Sequence, residues 1–307
     1  MKHLFFILIF ILPFSLAAQQ INREKAGLRG PVHTIKLITE EIIHDSSFTK
    51  RNTELTTYNI DGTINSLQLF NSHTQELVQE EKYEYARGLV VKKTVDTKVS
   101  ILAGVTEERF IYNENKQLLE TYTYEGETGK IPEKLTAKKT FRYDKKGNWI
   151  WEKQLNITLN NTEKINLHSY NDKGQQICTE NIRYGMRWQY TEYTYNKSKQ
   201  VKTETIRDDD GRAKMAYIYD YDSLGHTAVT QSLQYNYGGS VVIARSLTIN
   251  TFRNELLIDT ETESNGQKDY KAEYQYADFD KYGNWLTRKI VHNGTLTQLD
   301  KRIIGYF

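Results

Sequence analysis

The chain has 307 residues, 41 Lys+Arg against 39 Asp+Glu, and a formal net charge of +2. That balance excludes a general electrostatic grip on nucleic acid, which needs a strongly basic surface. A single cysteine excludes a disulfide framework within the chain and any Cys-based zinc site. Three prolines and 38% hydrophobic residues argue against a disordered or collagen-like chain. The 22 tyrosines lean the composition toward β structure, because tyrosine favours pleated, half-buried surfaces.

The first segment is an address label. Met1-Lys2-His3 precedes an apolar run over residues 4–12, and Ser15-Leu16-Ala17-Ala18 precedes a polar turn. A basic start, a short apolar stretch and small residues fit a secretory signal peptide over residues 1–18, cleaved after Ala18 or Ala17. Residues 4–16 fall short of the roughly 20 needed to span a bilayer as a helix. An uncleaved anchor is the alternative. No cysteine follows the run, so a lipid anchor on an N-terminal Cys is not expected. Residues 19–307 then form one exported domain with no transmembrane helix, in the periplasm, at the cell surface or outside the cell.

Gly30-Pro31 and then residues 32–43 read as an opening strand that caps a repeat array. The array begins with the next strand. An aromatic followed by a turn-like stretch occurs at Tyr58, Tyr85, Tyr112, Tyr143, Tyr170, Tyr195, Tyr221, Phe252 and Phe279. The spacings are 27, 27, 31, 27, 25, 26, 31 and 27 residues. Seven of the nine carry Asn or Asp next, and five carry Gly four places on, at 62, 147, 174, 225 and 283. The aromatic ends a strand. Asn or Asp starts a turn, since its side chain can bond the backbone two residues ahead. Gly supplies the positive φ that closes it. An apolar residue such as Ile64, Trp149, Ile177 or Trp285 starts the return strand.

Before each turn the aromatics alternate, as in Tyr83/Tyr85, Phe110/Tyr112, Phe141/Tyr143, Tyr193/Tyr195 and Tyr219/Tyr221. That is the period of a strand with an aromatic face and a mostly polar face. The second turn of each unit is predicted at residues 71–76, 97–104, 125–133, 160–163, 184–187, 208–212, 237–240 and 264–268. The longer spacings take their extra residues there, which marks the adaptable edge. Residues 296–307 read as a closing strand. The fold class is therefore all-β: tandem antiparallel hairpins, about nine units of about 27 residues, forming a curled or spiral sheet. The sheet is expected to curl until its aromatic face closes on itself or stacks on another part of the sheet.

These units resemble YD repeats of the RHS kind. The resemblance rests on Tyr143-Asp144-x-x-Gly147-Asn148, Tyr221-Asp222-x-x-Gly225 and Phe279-Asp280-x-x-Gly283-Asn284, with weaker copies between. It covers roughly residues 50–290 and implies antiparallel hairpins that continue into a curling sheet. Long members build shells around toxin domains or large cell-surface proteins. This chain is too short to enclose a cargo and shows no distinct domain after the last repeat, so the shell role is not carried over.

Motifs for chemistry are sparse. The histidines at 3, 33, 44, 73, 168, 226 and 292 form no HxH or HExxH pair, and no cofactor or metal is expected. Serine elbows and phosphate-binding glycine loops are missing, and catalysis is not expected. Asp208-Asp209-Asp210-Gly211 reads as a hairpin turn with solvated acids, a calcium loop being the alternative. Cys178 is expected to be a buried, inert thiol.

The tryptophans are the candidate ligand-binding residues. Trp149 and Trp285 hold the same repeat position, each after Gly-Asn, and Trp151 is placed on the face of Trp149 by its two-residue spacing. Trp188 lies beside a variable turn, where binding residues gather. Rings at these places either fill the aromatic face or stack on sugars or partner side chains. The leading expectation is an exported envelope protein acting as a binding or scaffold module for a cell-surface polysaccharide or an envelope protein. The alternatives are an outer-membrane β-barrel, favoured by many strands, alternating aromatics and Phe307, and an enzyme of unrecognised type. Charges at both strand parities, as in Glu80-Glu81-Lys82 and Lys138-Lys139, weigh against the barrel.

Overall fold

The computed structural model describes residues 22–24, 26–42, 48–71, 74–99 and 103–307, without the side chains of 48–51. The expected export signal lies outside these residues. Twenty strands follow one another. They are β1 Val32–Ile42, β2 Phe48–Tyr58, β3 Ile64–Asn71, β4 Leu77–Ala86, β5 Leu89–Thr97 and β6 Gly104–Tyr112. Next come β7 Leu118–Gly126, β8 Lys134–Tyr143, β9 Trp149–Asn156, β10 Thr162–Tyr170, β11 Gln176–Arg183 and β12 Met186–Tyr195. The last eight are β13 Val201–Asp208, β14 Ala213–Tyr221, β15 Thr227–Tyr235, β16 Val242–Arg253, β17 Leu256–Ser264, β18 Gln267–Phe279, β19 Trp285–His292 and β20 Thr295–Tyr306.

Every strand pairs antiparallel with the next in sequence, and β1 also pairs with β20. The sheet is therefore a closed barrel of 20 strands. This corrects the expectation of an open curled or spiral sheet. The physical reason lies at the two ends. An open sheet leaves two rows of unpaired N–H and C=O groups. Here β1 and β20 satisfy each other from Val32↔Tyr306 to Glu41↔Gln298. The opening and closing strands do not cap an array; they join it.

The join completes a tenth repeat that the nine-unit count misses. Tyr306 lies 27 residues after Phe279. Its return strand is β1. Phe307 N–H donates to the Pro31 carbonyl at 3.1 Å, and Val32 faces Tyr306 as Ile64 faces Tyr58.

A bulge marks the aromatic end of most hairpins. Tyr143 pairs with Trp149, while Arg142 pairs with Trp151, so Ile150 is an extra residue. The same slip occurs at Tyr58, Tyr85, Tyr112, Tyr170, Tyr195, Tyr221 and Phe252, and at the seam beside Val32. An extra residue reverses the face of everything beyond it. Trp151 therefore lies on the face of Arg142, opposite Trp149, and not beside Trp149 as its spacing predicts.

The turns follow the predicted chemistry. In the Tyr143 unit, Asp144 N–H donates to Asn148 O at 2.9 Å, and Gly147 N–H donates to Asp144 O at 3.0 Å. Asp144 Oδ1 also accepts from Lys146 N–H and Asn148 N–H, both at 2.8 Å. Six of the tyrosines then tie to the return strand of the preceding aromatic turn. Tyr85, Tyr112, Tyr143, Tyr170, Tyr195 and Tyr221 donate their hydroxyls to the carbonyls of Ile64, Val90, Leu118, Trp149, Gln176 and Val201. Burying the ring while satisfying its polar tip is what makes tyrosine the residue of choice here.

These aromatics and their partners form one tier around the barrel: Tyr58/Ile64, Tyr85/Val90, Tyr112/Leu118, Tyr143/Trp149, Tyr195/Val201, Phe252/Leu257, Phe279/Trp285 and Tyr306/Val32, with Tyr170/Gln176 and Tyr221/Thr227 half polar. Among the described residues no second layer covers it: of the two expected arrangements the sheet closes on itself and does not stack on another part of the sheet. Among the described residues, strands contact only their neighbours around the ring. The tyrosines reach sideways to the neighbouring unit, their hydroxyls on its return strand. The tightest packing is at the closing seam, where Leu28, Val32, Ile35, Tyr58 and Ile64 are buried together.

Candidate functional site

The four tryptophans part into three environments. Trp149 sits within the aromatic tier, its ring centroid 4.0 Å from that of His168 and 6.0 Å from that of Phe141. Its indole N–H donates to the Trp151 carbonyl at 3.0 Å. Trp151 lies on the opposite face beneath the Arg142 guanidinium, at 4.5 Å. Trp285 is buried in the tier at the seam. Trp188 is 58% exposed at the far rim. The structure does not bring these rings together into one platform.

Trp188 belongs to a built rim groove. It is the extra residue of a bulge, since Asn181 pairs with Gln189 and Ile182 with Arg187. The preceding turn is Tyr184-Gly185, both at positive φ, 52° and 75°. That geometry is the tight hairpin form. Tyr184, Met186, Trp188 and, from the turn between β15 and β16, Tyr237 line a groove of about 590 Å³. Arg183 stands over the Trp188 ring at 5.2 Å, and Lys214 over the Tyr237 ring at 4.8 Å. Asp208 and Asp209 supply acceptors along the same groove. Exposed rings flanked by fixed cations and acceptors can stack on a flat ligand and orient it by hydrogen bonds. Tyr184, Met186 and Tyr237 were not among the sequence candidates. The available signal was their place in the variable second turns.

The acidic run resolves as a turn. Asp208 Oδ1 accepts from Arg212 N–H at 2.8 Å, and Asp208 and Asp210 pair with Lys214 and Arg212 at 2.9 and 2.8 Å. Among the described residues no three His, Cys, Asp or Glu side chains gather as a metal site. Cys178 is half-buried between Ser169 and Glu192.

Charge covers both faces of the wall. Glu80 and Lys82 pair at 2.9 Å on one face, while Glu81 on the other pairs with Lys93 at 3.0 Å. Lys138 reaches Glu120 at 2.6 Å, and Lys139 on the other face approaches Glu152 at 3.8 Å. Beyond its aromatic tier the tyrosine face turns polar, with Thr121 opposite Phe110, Glu152 opposite Phe141 and Arg288 opposite Tyr276.

No family model matches the chain, and no curated protein matches it. Among solved structures, it is similar to a porin-like protein from Bacteroides uniformis, with 12% identity and a TM-score of 0.37 over 90% of this chain and 99% of the other. A porin-like protein from Bacteroides vulgatus shares 11% identity with a TM-score of 0.31, over 91% and 99% of the two chains. TcdB2-TccC3 shares 9% identity with a TM-score of 0.28, over 84% of this chain and 18% of that one. Likenesses this distant carry no functional argument. The class of the protein, a closed antiparallel β-barrel, rests on its own strand pairing.

Proposed function

We propose that this chain is an exported, hollow β-barrel protein of the cell envelope, of the outer-membrane kind. The closed wall supports that alternative better than a repeat sheet that binds through its edge. One observation carries the reading: β1 pairs with β2 on one side and β20 on the other, so each strand has two partners. Closure is what a β structure needs to stand in lipid, where each unsatisfied backbone group costs several kcal/mol. It also encloses space. Twenty strands spaced about 4.8 Å apart and tilted as barrels require give a perimeter of roughly 115–135 Å. Barrels of about 16–18 strands already hold an aqueous channel. We assign the Trp188 groove at the rim to contact with an envelope polysaccharide or protein.

A second reading is favoured by the charges on both faces. A lipid-facing wall needs an apolar band about 25 Å tall, and a Lys or Arg near the midplane costs about 2–4 kcal/mol. On the tyrosine face the rings run two positions deep, as at Tyr83/Tyr85 and Phe141/Tyr143, but Lys93 and Glu152 already stand opposite the second ring, and Glu81 and Lys139 follow it. In this reading the same barrel stands in water beside the membrane.

Fractionation of a Gram-negative host expressing the whole chain separates the two. A spanning barrel stays in the outer-membrane fraction through a carbonate wash, needs detergent, and gives discrete conductance steps in a planar bilayer. A water-standing barrel leaves with the periplasmic fraction and is monodisperse without detergent. A chain that is unfolded and protease-sensitive in every fraction would sink both.

A further inference from the structure

The segment before β1 does not simply lead into the barrel. Arg29 crosses to the Phe279 turn, where Asn284 bonds its backbone, and Leu28 is buried at the seam. The segment roofs a cavity of about 630 Å³ against the ends of β17, β18 and β20. That volume is within the range of small-molecule sites.

The floor of the cavity is cationic. Arg302 lines it, with its guanidinium 3.5 Å from the centre of the Trp285 ring. The neighbouring acid is already committed. Asp300 is fully buried and accepts from Arg288 Nε at 2.9 Å and Nη2 at 2.5 Å, with Gln298 at 2.8 Å on its other oxygen. Among the described residues Arg302 has no carboxylate partner and no hydrogen-bond acceptor. A half-buried guanidinium with five donors and no acceptor is costly unless something brings one. Two exposed acids line the mouth, Glu24 and Glu255, and Glu255 is held by Arg29 at 3.3 Å. Leu28, Leu256, Leu257, Phe279 and Trp285 form the apolar part of the lining, with Asn254, Tyr276 and Asn284 among the polar part.

We propose that this cavity binds a small monocarboxylate with an apolar body, its carboxylate on the Arg302 guanidinium and its body against Trp285 and Leu257. Arginine presents paired N–H groups in the geometry a carboxylate accepts. The apolar walls take a ring or short alkyl chain and reject a fully hydrated ion such as phosphate. The site holds whether the barrel stands in lipid or in water, because it is built at the rim between the roofing segment and the tier.

The test uses the whole chain with benzoate and octanoate as probes, benzamide and octanol as their uncharged counterparts, and inorganic phosphate as an ion without an apolar body. Titration calorimetry and thermal melting read the binding. The two carboxylates should bind and raise the melting temperature; the amide, the alcohol and phosphate should not. Arg302→Gln should weaken benzoate binding about 10- to 100-fold, the scale of a lost charge-assisted hydrogen bond. Leu257→Trp fills the cavity and leaves Arg302 in place. It should abolish binding with the melting transition retained, and it decides the matter if Arg302→Gln does not fold. No binding of either carboxylate to the folded protein, equal binding of benzamide, or full binding by Leu257→Trp would overturn the proposal.

Discussion

The side-chain amide of Asn284 holds the backbone of Arg29 at both ends. Its Oδ1 accepts from Arg29 N–H at 2.7 Å, and its Nδ2 donates to the Arg29 carbonyl at 2.9 Å, across 255 residues of sequence. The same Nδ2 donates to Asp280 Oδ2 at 2.9 Å and to the Tyr306 hydroxyl at 3.3 Å. One buried amide thus joins the roofing segment, the last full turn and the closing strand. Closure is fastened by side chains as well as by the β1–β20 ladder.

Asn284→Ala should therefore cost more than its counterpart elsewhere. Asn148 holds the same place in the Tyr143 turn, but among the described residues its amide bonds only Asp144, at 2.8 Å. Removing Asn284 strips two backbone partners at a buried site and should cost about 2–3 kcal/mol; Asn148→Ala should cost under about 1 kcal/mol. Urea unfolding of both variants measures the difference. Equal losses would mean that the clamp on Arg29 adds nothing to closure.

Two turns are built with the wrong residue for their backbone. Lys116 and Lys199 occupy the position that is Gly62, Gly147, Gly174, Gly225 and Gly283 in other units, and they hold φ of 61° and 66°. A side chain there costs about 1–2 kcal/mol, partly offset by the extra entropy glycine loses on folding. Lys116→Gly and Lys199→Gly should each stabilise the barrel by about 0.5–1 kcal/mol, read as a higher denaturant midpoint at unchanged slope. A lower midpoint in both would show that the lysine side chains make contacts that outweigh the strain.

The repeat was legible because its chemistry is local. Asn or Asp after the aromatic and Gly four places on are dictated within one turn, and the structure shows those bonds at Asp144 and its equivalents. Closure was not legible, because it depends on partners at opposite ends of the chain. The clue was Tyr306, 27 residues after Phe279 and so in step with the aromatics that each face a return strand. The face of Trp151 was misjudged for a different reason: a bulge is an extra residue with no sequence mark at Ile150, and it reverses an alternation that otherwise reads correctly. The rim groove was half legible, since Trp188 stood out while Tyr184 and Tyr237 looked like any of the other tyrosines.

Trp285 and Trp188 should behave as opposites. Trp285 is 8% exposed, with Tyr276 edge-on at 5.7 Å and Arg302 across its ring. Trp285→Ala should lose about 3–5 kcal/mol, the scale of a buried aromatic left as a cavity. Trp188 stands in solvent at the bulge, and Trp188→Ala should stay within about 0.5 kcal/mol of the parent. Chemical unfolding of the two variants checks this. A large loss at Trp188 would make it a structural ring and remove it as a ligand contact.

The turn carboxylates predict an acid limb of stability. Hydrogen bonds from the Thr63 hydroxyl and N–H, at 2.7 and 2.9 Å, hold Asp61 below its ordinary value. Asn148 does the same for Asp144 through its amide at 2.8 Å. At Asp280 partial burial pushes upward, and bonds from Tyr306 and Asn284 outweigh it, so the net direction is again down. A carboxyl whose folded value lies below its unfolded value near 3.9 stabilises the fold fully above that pH and loses the contribution as pH falls through the folded value. These groups should therefore leave stability flat from pH 7 to about 5 and pull it down below about 4. Asp144→Asn provides the control, because Asn171 already makes the same turn with its Oδ1 accepting from Lys173 and Gln175 N–H at 3.0 and 2.9 Å. An Asp61→Asn/Asp144→Asn variant should melt close to the parent at pH 7 and show a shallower fall below pH 4. An acid limb unchanged by both substitutions would assign the loss to other carboxylates, with the paired acids of the wall as the next groups to replace.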